Sequence, residues 1–174
     1  MHMSDQREIA APVADVWAAL LSADSLLNCV PGAKEVTGNA EEGFEATVVQ
    51  KVGPVKATFK GQVALSNMVE GESLTLTGEG KGGAAGFAKG GADVTLAASE
   101  TGTLLSYEVD AKVGGKLAQL GSRLIDGFAK KMADQFFTNL QTSLEGPEEE
   151  AEEAADAGAE EAPKKSLLKR MTGG

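Results

Sequence analysis

The 174-residue sequence predicts an α+β domain in which a curved antiparallel β-sheet surrounds a long C-terminal helix. Two observations lead to this fold class. Residues 44–113 alternate apolar and polar side chains, which is the period of strands with one dry and one wet face. Residues 116–144 contain no proline and place apolar residues at helical spacing, until Gly146-Pro147 ends the pattern.

The first 32 residues predict a strand followed by two short helices. Residues 1–9 form the strand, and Ala11-Pro12 opens a helix with Val16 and Trp17 on its apolar face. A second short helix follows and ends at the turn signal Pro31-Gly32. Six further strands with short turns between them predict a meander, which completes the α+β arrangement.

The long helix is predicted to run from Lys116 to Leu144. Its apolar stripe recurs mostly every four residues, at Leu117, Leu120, Leu124, Phe128, Met132, Phe136, Leu140 and Leu144. A step of four residues overshoots one helical turn by about 40°, so the stripe winds around the axis. A helix crossing a curved sheet diagonally would need such a drifting face.

One helix about ten ångströms wide cannot cover six or seven strands. The sheet must either curl until the interior is filled or leave a gap. Its inward residues mix large side chains such as Phe44 and Phe59 with small ones such as Ala46, Ala57 and Gly61. Small residues on facing elements leave volume, and an apolar void can hold an apolar ligand.

Composition excludes several classes of function. The net charge is −10, of which −5 belongs to residues 1–144, and so acidic a domain argues against nucleic acid binding, which needs clustered lysine and arginine. Cys29 is the only cysteine and His2 the only histidine, so neither an intramolecular disulfide, a cysteine-based metal site nor a Ser-His-Asp triad is expected. With no signal peptide or membrane-spanning run, a cytoplasmic location is expected.

The C-terminal 30 residues are predicted to lie outside the domain of residues 1–144. Residues 145–163 are acidic, contain no large apolar side chain and are expected to be disordered. Residues 164–174 form a short basic amphipathic tail that could contact an anionic membrane, a partner enzyme or the domain itself. Its contact residues are Lys164, Lys165, Leu167, Leu168, Lys169, Arg170 and Met171.

Residues 1–144 resemble the CoxG family of carbon monoxide dehydrogenase accessory proteins, within the helix-grip fold of the START/polyketide-cyclase-like superfamily. The segments that carry this resemblance are Ile9-Ala10-Ala11-Pro12 with Val16-Trp17, Asn28-Cys29-Val30-Pro31-Gly32, Phe59-Lys60-Gly61, Gly78-Glu79-Gly80, and residues 114–124 with Phe136-Phe137. The resemblance implies a non-catalytic accessory protein of molybdenum hydroxylases such as carbon monoxide dehydrogenase. It also implies a lipophilic ligand, a quinone, in the grip cavity, no tightly bound cofactor, and association with the inner face of the membrane.

The alternation of apolar and polar residues in the strands, and the helical spacing in the last segment, predict which residues line such a cavity. They are Phe44, Phe59, Leu74, Leu76, Leu105 and Tyr107 from the sheet, and Leu117, Leu120, Leu124 and Phe128 from the helix. Tyr107, the only tyrosine, could donate a hydrogen bond to a quinone carbonyl or to a backbone group.

No catalytic residue and no metal site are predicted. The segment Gly78–Gly83 matches the dinucleotide pattern G-x-G-x-x-G, but no helix follows it, so a hairpin is expected that acts as a lid or a docking loop. Cys29 is expected to be half-buried at the cavity mouth, without a base to activate it. The alternatives are a small cyclase or hydrolase of the same superfamily and an assembly chaperone with a filled core.

Overall fold

The computed structural model describes residues 1–145, so the predicted acidic segment and basic tail lie outside the described residues from position 146 onward. The elements are β1 (His2–Ile9), α1 (Val13–Leu20), α2 (Ala23–Cys29), β2 (Ala33–Asn39), β3 (Gly43–Val52), β4 (Val55–Val69), β5 (Ser73–Lys81), β6 (Phe87–Ala98), β7 (Thr103–Gly114), α3 (Lys116–Gln119) and α4 (Ser122–Glu145). A 3-10 turn, Gly83–Ala85, connects β5 to β6. Residues Met1–Leu140 form one compact unit.

Seven strands form one antiparallel sheet in the order β1-β7-β6-β5-β4-β3-β2. Strands β2 to β7 are a meander, and β1 joins it by pairing with β7, with Asp5 opposite Tyr107. The predicted strand, two helices, six strands and terminal helix are therefore confirmed. Because successive side chains of a strand point to opposite faces, the register also fixes which residues share the concave face.

The long terminal helix is interrupted, which corrects the prediction of one helix from Lys116 to Leu144. Residues Leu120 and Gly121 separate α3 from α4, and Gly121 has a φ of +92°, a left-handed conformation that glycine adopts without steric penalty. Apolar periodicity continues across the break, through Leu117, Leu120 and Leu124, so the pattern contains no sign of it.

Helix α4 crosses the open side of the sheet. Near its start, Leu124 lies against Gly53 in the β3–β4 turn. Near residue 140, the Asn139 side-chain amide donates a hydrogen bond of 2.9 Å to the Cys29 carbonyl at the end of α2. Strands approach one another closely along their length, whereas the α4 backbone comes near the sheet at few points. Side chains, and the space they leave, therefore separate α4 from the sheet.

The most deeply buried residues lie where β1, β7 and α1 meet. Ile9, Val16 and Leu105 have no exposed surface there. Buried Thr103 donates a hydrogen bond of 2.8 Å to the Ala11 carbonyl, which satisfies its hydroxyl. A second cluster, built on Val52, Leu117 and Ile125, packs the opposite end of the domain.

Candidate ligand-binding cavity

An apolar cavity of about 610 Å³ lies between the concave face of the sheet and helices α2 and α4. Among its 33 lining residues in the described part of the chain, only Gln50 and Tyr107 have polar side chains. The Gln50 amide already donates a hydrogen bond to the Pro31 carbonyl. A volume of a few hundred cubic ångströms with apolar walls is typical of a site for a small lipophilic molecule.

Eight of the ten predicted lining residues border this cavity: Phe44, Phe59, Leu74, Leu76, Leu105, Tyr107, Leu117 and Phe128. Leu120 and Leu124 are not among the lining residues; they pack on the cluster around Val52 and Ile125. Leu120 lies in the interruption between α3 and α4. Leu124, in the first turn of α4, packs against Gly53 in the β3–β4 turn instead of on the cavity. Whether any of the ten contacts a ligand stays a prediction.

The cavity face of α4 follows a tighter helical pattern than the predicted stripe. Its members are Ile125, Phe128, Ala129, Met132, Ala133, Phe136 and Phe137. These positions repeat at steps of three and four, which keeps them on one side of a straight helix. The predicted stripe omits Ile125, Phe137 and the two alanines because it follows large residues mostly at steps of four. The small alanines, placed in the middle of this face, leave volume between α4 and the sheet.

Tyr107 is the polar group best placed to meet a ligand. Its side chain lines the cavity, the residue is 9% exposed, and its ring stacks on Phe137 with centroids 4.8 Å apart. Within residues 1–145 its hydroxyl makes no hydrogen bond, so the backbone partner considered from the sequence is absent from this part of the chain. A buried donor without a partner is unfavourable until a ligand or water supplies an acceptor.

Burial raises the pKa of Tyr107 above its ordinary value of 10.0, and the nearby carboxylates of Asp5 and Asp134 raise it further. The positive charge of Arg7 lowers the pKa of Tyr107 and so opposes these effects. The phenol is therefore protonated at neutral pH and has a proton available for a hydrogen bond.

Tyrosinate absorbance tests this directly, because Tyr107 is the only tyrosine. We expect the folded protein to titrate with a midpoint above 10, and the denatured protein near the ordinary value. A raised folded pKa means that the unfolded chain loses its proton first, so the contribution to stability is complete below about pH 10 and is lost as the pH rises through the folded pKa. Equal midpoints in the two states would contradict the buried environment.

Arg7 connects the edge strand β1 to α4 beside Tyr107. Its guanidinium donates a hydrogen bond of 3.2 Å to the Thr138 hydroxyl and lies 3.6 Å from the Asp134 carboxylate. It also sits 5.8 Å from the centre of the Phe137 ring. No sequence pattern marks this cluster, since Arg7 is more than 120 positions away from the helix residues that it meets.

Cys29 is completely buried rather than half-buried, and it is not among the cavity-lining residues, which corrects its expected position at the mouth. Burial raises the pKa of its thiol, with a smaller opposing effect from a hydrogen bond with Ser25. A neutral, enclosed thiol is a poor nucleophile. Cys29 is therefore a core residue at the end of α2.

Other features of the described residues offer no competing site of this kind. Gly78–Gly83 lies at the end of β5 and in the turn to β6, so the hairpin expected there is confirmed. Within residues 1–145 no cluster of three metal-ligating side chains occurs, and no helix combines the length and apolarity needed to cross a membrane. Two larger depressions, of about 1130 and 790 Å³, have charged lining residues such as Glu79.

A seven-stranded antiparallel sheet closed by a C-terminal helix over an apolar cavity defines the helix-grip, START-like class of proteins. Within that class, the chain belongs to the carbon monoxide dehydrogenase CoxG family, whose model matches residues 6–145. The resemblance and the fold class predicted from the sequence are both confirmed. Membership and fold together suggest a ligand-binding accessory protein.

Solved structures agree with this fold. A conserved protein from Geobacillus kaustophilus has a TM-score of 0.77 at 25% identity, covering 83% of this chain and 95% of that one. A START superfamily protein from Mycobacterium smegmatis has a TM-score of 0.63 at 14% identity, with 83% and 97% covered. A protein from Chromobacterium violaceum has a TM-score of 0.62 at 18% identity, with 83% and 98% covered. No curated protein matches the chain.

Proposed function

We propose that this protein is a non-catalytic carrier that holds a quinone in its apolar cavity and supports a molybdenum hydroxylase such as carbon monoxide dehydrogenase. The observation that carries the proposal is the cavity of about 610 Å³, whose lining is apolar except for Gln50 and Tyr107. Membership of the CoxG family supports the choice of partner enzyme.

The lining suits a molecule that is mostly hydrocarbon and has one polar end. Removing apolar surface from water is favourable by about 25 cal/mol per Å², so a hydrocarbon chain supplies most of the affinity. The Tyr107 hydroxyl, buried and without a partner in residues 1–145, would donate to a carbonyl oxygen of the quinone ring. The ring would then lie beside Phe137, which already stacks on Tyr107.

Binding without catalysis is proposed because the cavity offers few groups that could transfer a proton or attack a substrate. Tyr107 has a raised pKa and holds its proton, and the Cys29 thiol is enclosed elsewhere in the core. The Asp134 carboxylate near Tyr107 is the one observation that favours a small enzyme of the same superfamily, but Arg7 and solvent compete for it. We also propose that no tightly bound cofactor is needed.

The location we propose is cytoplasmic, with peripheral contact at the inner face of the cell membrane. The basic tail predicted from the sequence, residues 164–174, would make part of this contact, since each lysine or arginine near an anionic surface contributes about 1 kcal/mol. Contact with the membrane would bring the carrier close to its quinones.

Lipid extraction of the purified protein, followed by mass spectrometry, tests the carrier function. We expect a quinone to co-purify, and the ligand-free protein to bind a short-chain ubiquinone. Tyr107→Phe should weaken that binding roughly two- to twelvefold, because a hydrogen bond contributes about 0.5–1.5 kcal/mol. Binding of an apolar probe without an acceptor should be unchanged, which separates the hydrogen bond from packing. A protein that never carries or takes up quinone would refute the proposal.

A further inference from the structure

The outward face of the sheet carries an unusual arrangement of lysines. The register places Lys51 opposite Lys56, Lys60 opposite Lys81, and Lys89 opposite Lys112. All six side chains are exposed, and in the described part of the chain none of them forms a salt bridge. We call this set the lysine face. Like charges directly opposite one another destabilise a sheet, so three such pairs at one end of it call for a binding role.

The lysine face also contains an exposed aromatic residue. Phe87 pairs with Lys81 on one side and Gly114 on the other, and it is 38% exposed. Acidic residues share part of this face: Glu45 and Glu79 lie in the same cross-strand row as Lys89 and Lys112 and balance their charge. Glu35 lies near Lys60. The excess positive charge therefore lies on Lys51, Lys56, Lys60 and Lys81, at the end of the sheet. Basic residues around an exposed aromatic ring fit a surface with anionic groups above an apolar layer.

This face adjoins one end of the cavity. Cavity residue Phe59 precedes Lys60 and its ring lies against Gly82, the residue after Lys81. Cavity residue Leu117 follows Lys116 in the short helix α3. The elements covering this end are small, namely the 3-10 turn Gly83–Ala85 and α3, which lies between two glycines of positive φ, Gly115 and Gly121.

We propose that the lysine face docks on a bilayer containing anionic phospholipids, and that it turns this end of the cavity toward the headgroups. A bilayer is favoured over an acidic protein surface because the neighbouring cavity is apolar, so a lipophilic molecule could pass between the two without crossing water. Transfer of a ligand between the bilayer and the cavity rests on the proposed carrier function. Contact between the lysine face and the bilayer does not depend on that function. The contact is distinct from any made by the tail.

The test uses full-length protein and sedimentation with vesicles of phosphatidylcholine, with and without phosphatidylglycerol. The variant Lys81→Glu/Lys112→Glu changes the charge of the face and places each new glutamate opposite a lysine, Lys60 or Lys89. Opposite charges across strands are favourable, so its thermal stability should not fall. We expect its binding to anionic vesicles to weaken at least about tenfold, since each lysine adds to membrane affinity.

Two control variants each replace two basic residues outside the lysine face by glutamate, which changes the net charge by the same amount. Lys130→Glu/Lys131→Glu alters exposed positions on α4, and Lys169→Glu/Arg170→Glu alters the tail. A loss confined to the lysine-face variant, or shared only with the tail variant, supports the proposal. Equal losses in all three variants would mean that only net charge matters and would overturn it. So would a loss in the tail variant alone.

Wild-type protein that does not bind anionic vesicles would also overturn the proposal. An acidic protein surface would then be the partner of the lysine face. Extraction of bound lipid from each variant keeps the two proposals separate. The lysine-face variant should retain the ligand content of the wild type. A chain that never holds a quinone but still loses vesicle binding in the lysine-face variant would refute the carrier and leave the docking face standing.

Discussion

Replacing Ala92 by phenylalanine should abolish ligand binding while leaving the domain folded and at least as stable to heat. Ala92 pairs with Leu76 and Val109, and all three residues line the cavity. The added ring would enter the apolar space, where burial is favourable by about 25 cal/mol per Å². We expect affinity for a short-chain ubiquinone to fall at least about a hundredfold, which corresponds to about 2.7 kcal/mol, as measured by calorimetry.

The matched control is Ala97→Phe on the same strand. Ala97 is exposed and lies on the opposite face of β6, so its variant should bind ligand normally. The thermal stability of Ala92→Phe decides between an empty cavity and a filled core. In a filled core the larger side chain would destabilise by about 1–3 kcal/mol. A clear fall in melting temperature would therefore contradict the cavity and favour an assembly role.

The strands of the cavity were predictable because their signal is local. A period of two assigns each side chain to one face, so Phe44, Leu76 and Leu105 could be placed on the dry side without knowing which strands pair. The C-terminal helix and its cavity face were harder to predict from the sequence. Gly121 interrupts the helix without interrupting the apolar spacing, and the spacing does not show that Leu124 packs against Gly53 in the β3–β4 turn instead of on the cavity.

The groups around the phenol could not be predicted, because they depend on how distant segments meet. Arg7 reaches Asp134 only because β1 adds to the sheet beside β7, which brings Arg7 near the part of α4 that carries Asp134 and Thr138. The lysine pairs depend in the same way on register: a shift of one residue would place Lys81 opposite Phe59 rather than Lys60. Sequence patterns fix the face of a residue, but its cross-strand neighbour depends on alignment.

Removing the side chain of Leu105 should give the largest loss of stability among these variants. Leu105 has no exposed surface and lies in β7 between Arg7 of β1 and Leu96 of β6. Leu105→Ala should lower the free energy of unfolding by about 2–5 kcal/mol, because apolar contacts are lost and the space left behind closes only in part. For a domain of this size, that corresponds to a fall in melting temperature of roughly 5–15 °C.

Leu104→Ala is the control, since the neighbouring residue points to the outer face and is only half-buried. Its cost should stay below about 1 kcal/mol, as for most substitutions outside the core. The ligand gives a second measurement. The void at Leu105 adjoins the cavity, so quinone at a hundred times its Kd should recover about 2.7 kcal/mol by binding the folded state alone. Equal losses for Leu104→Ala and Leu105→Ala would mean that β7 does not turn alternate side chains toward the cavity.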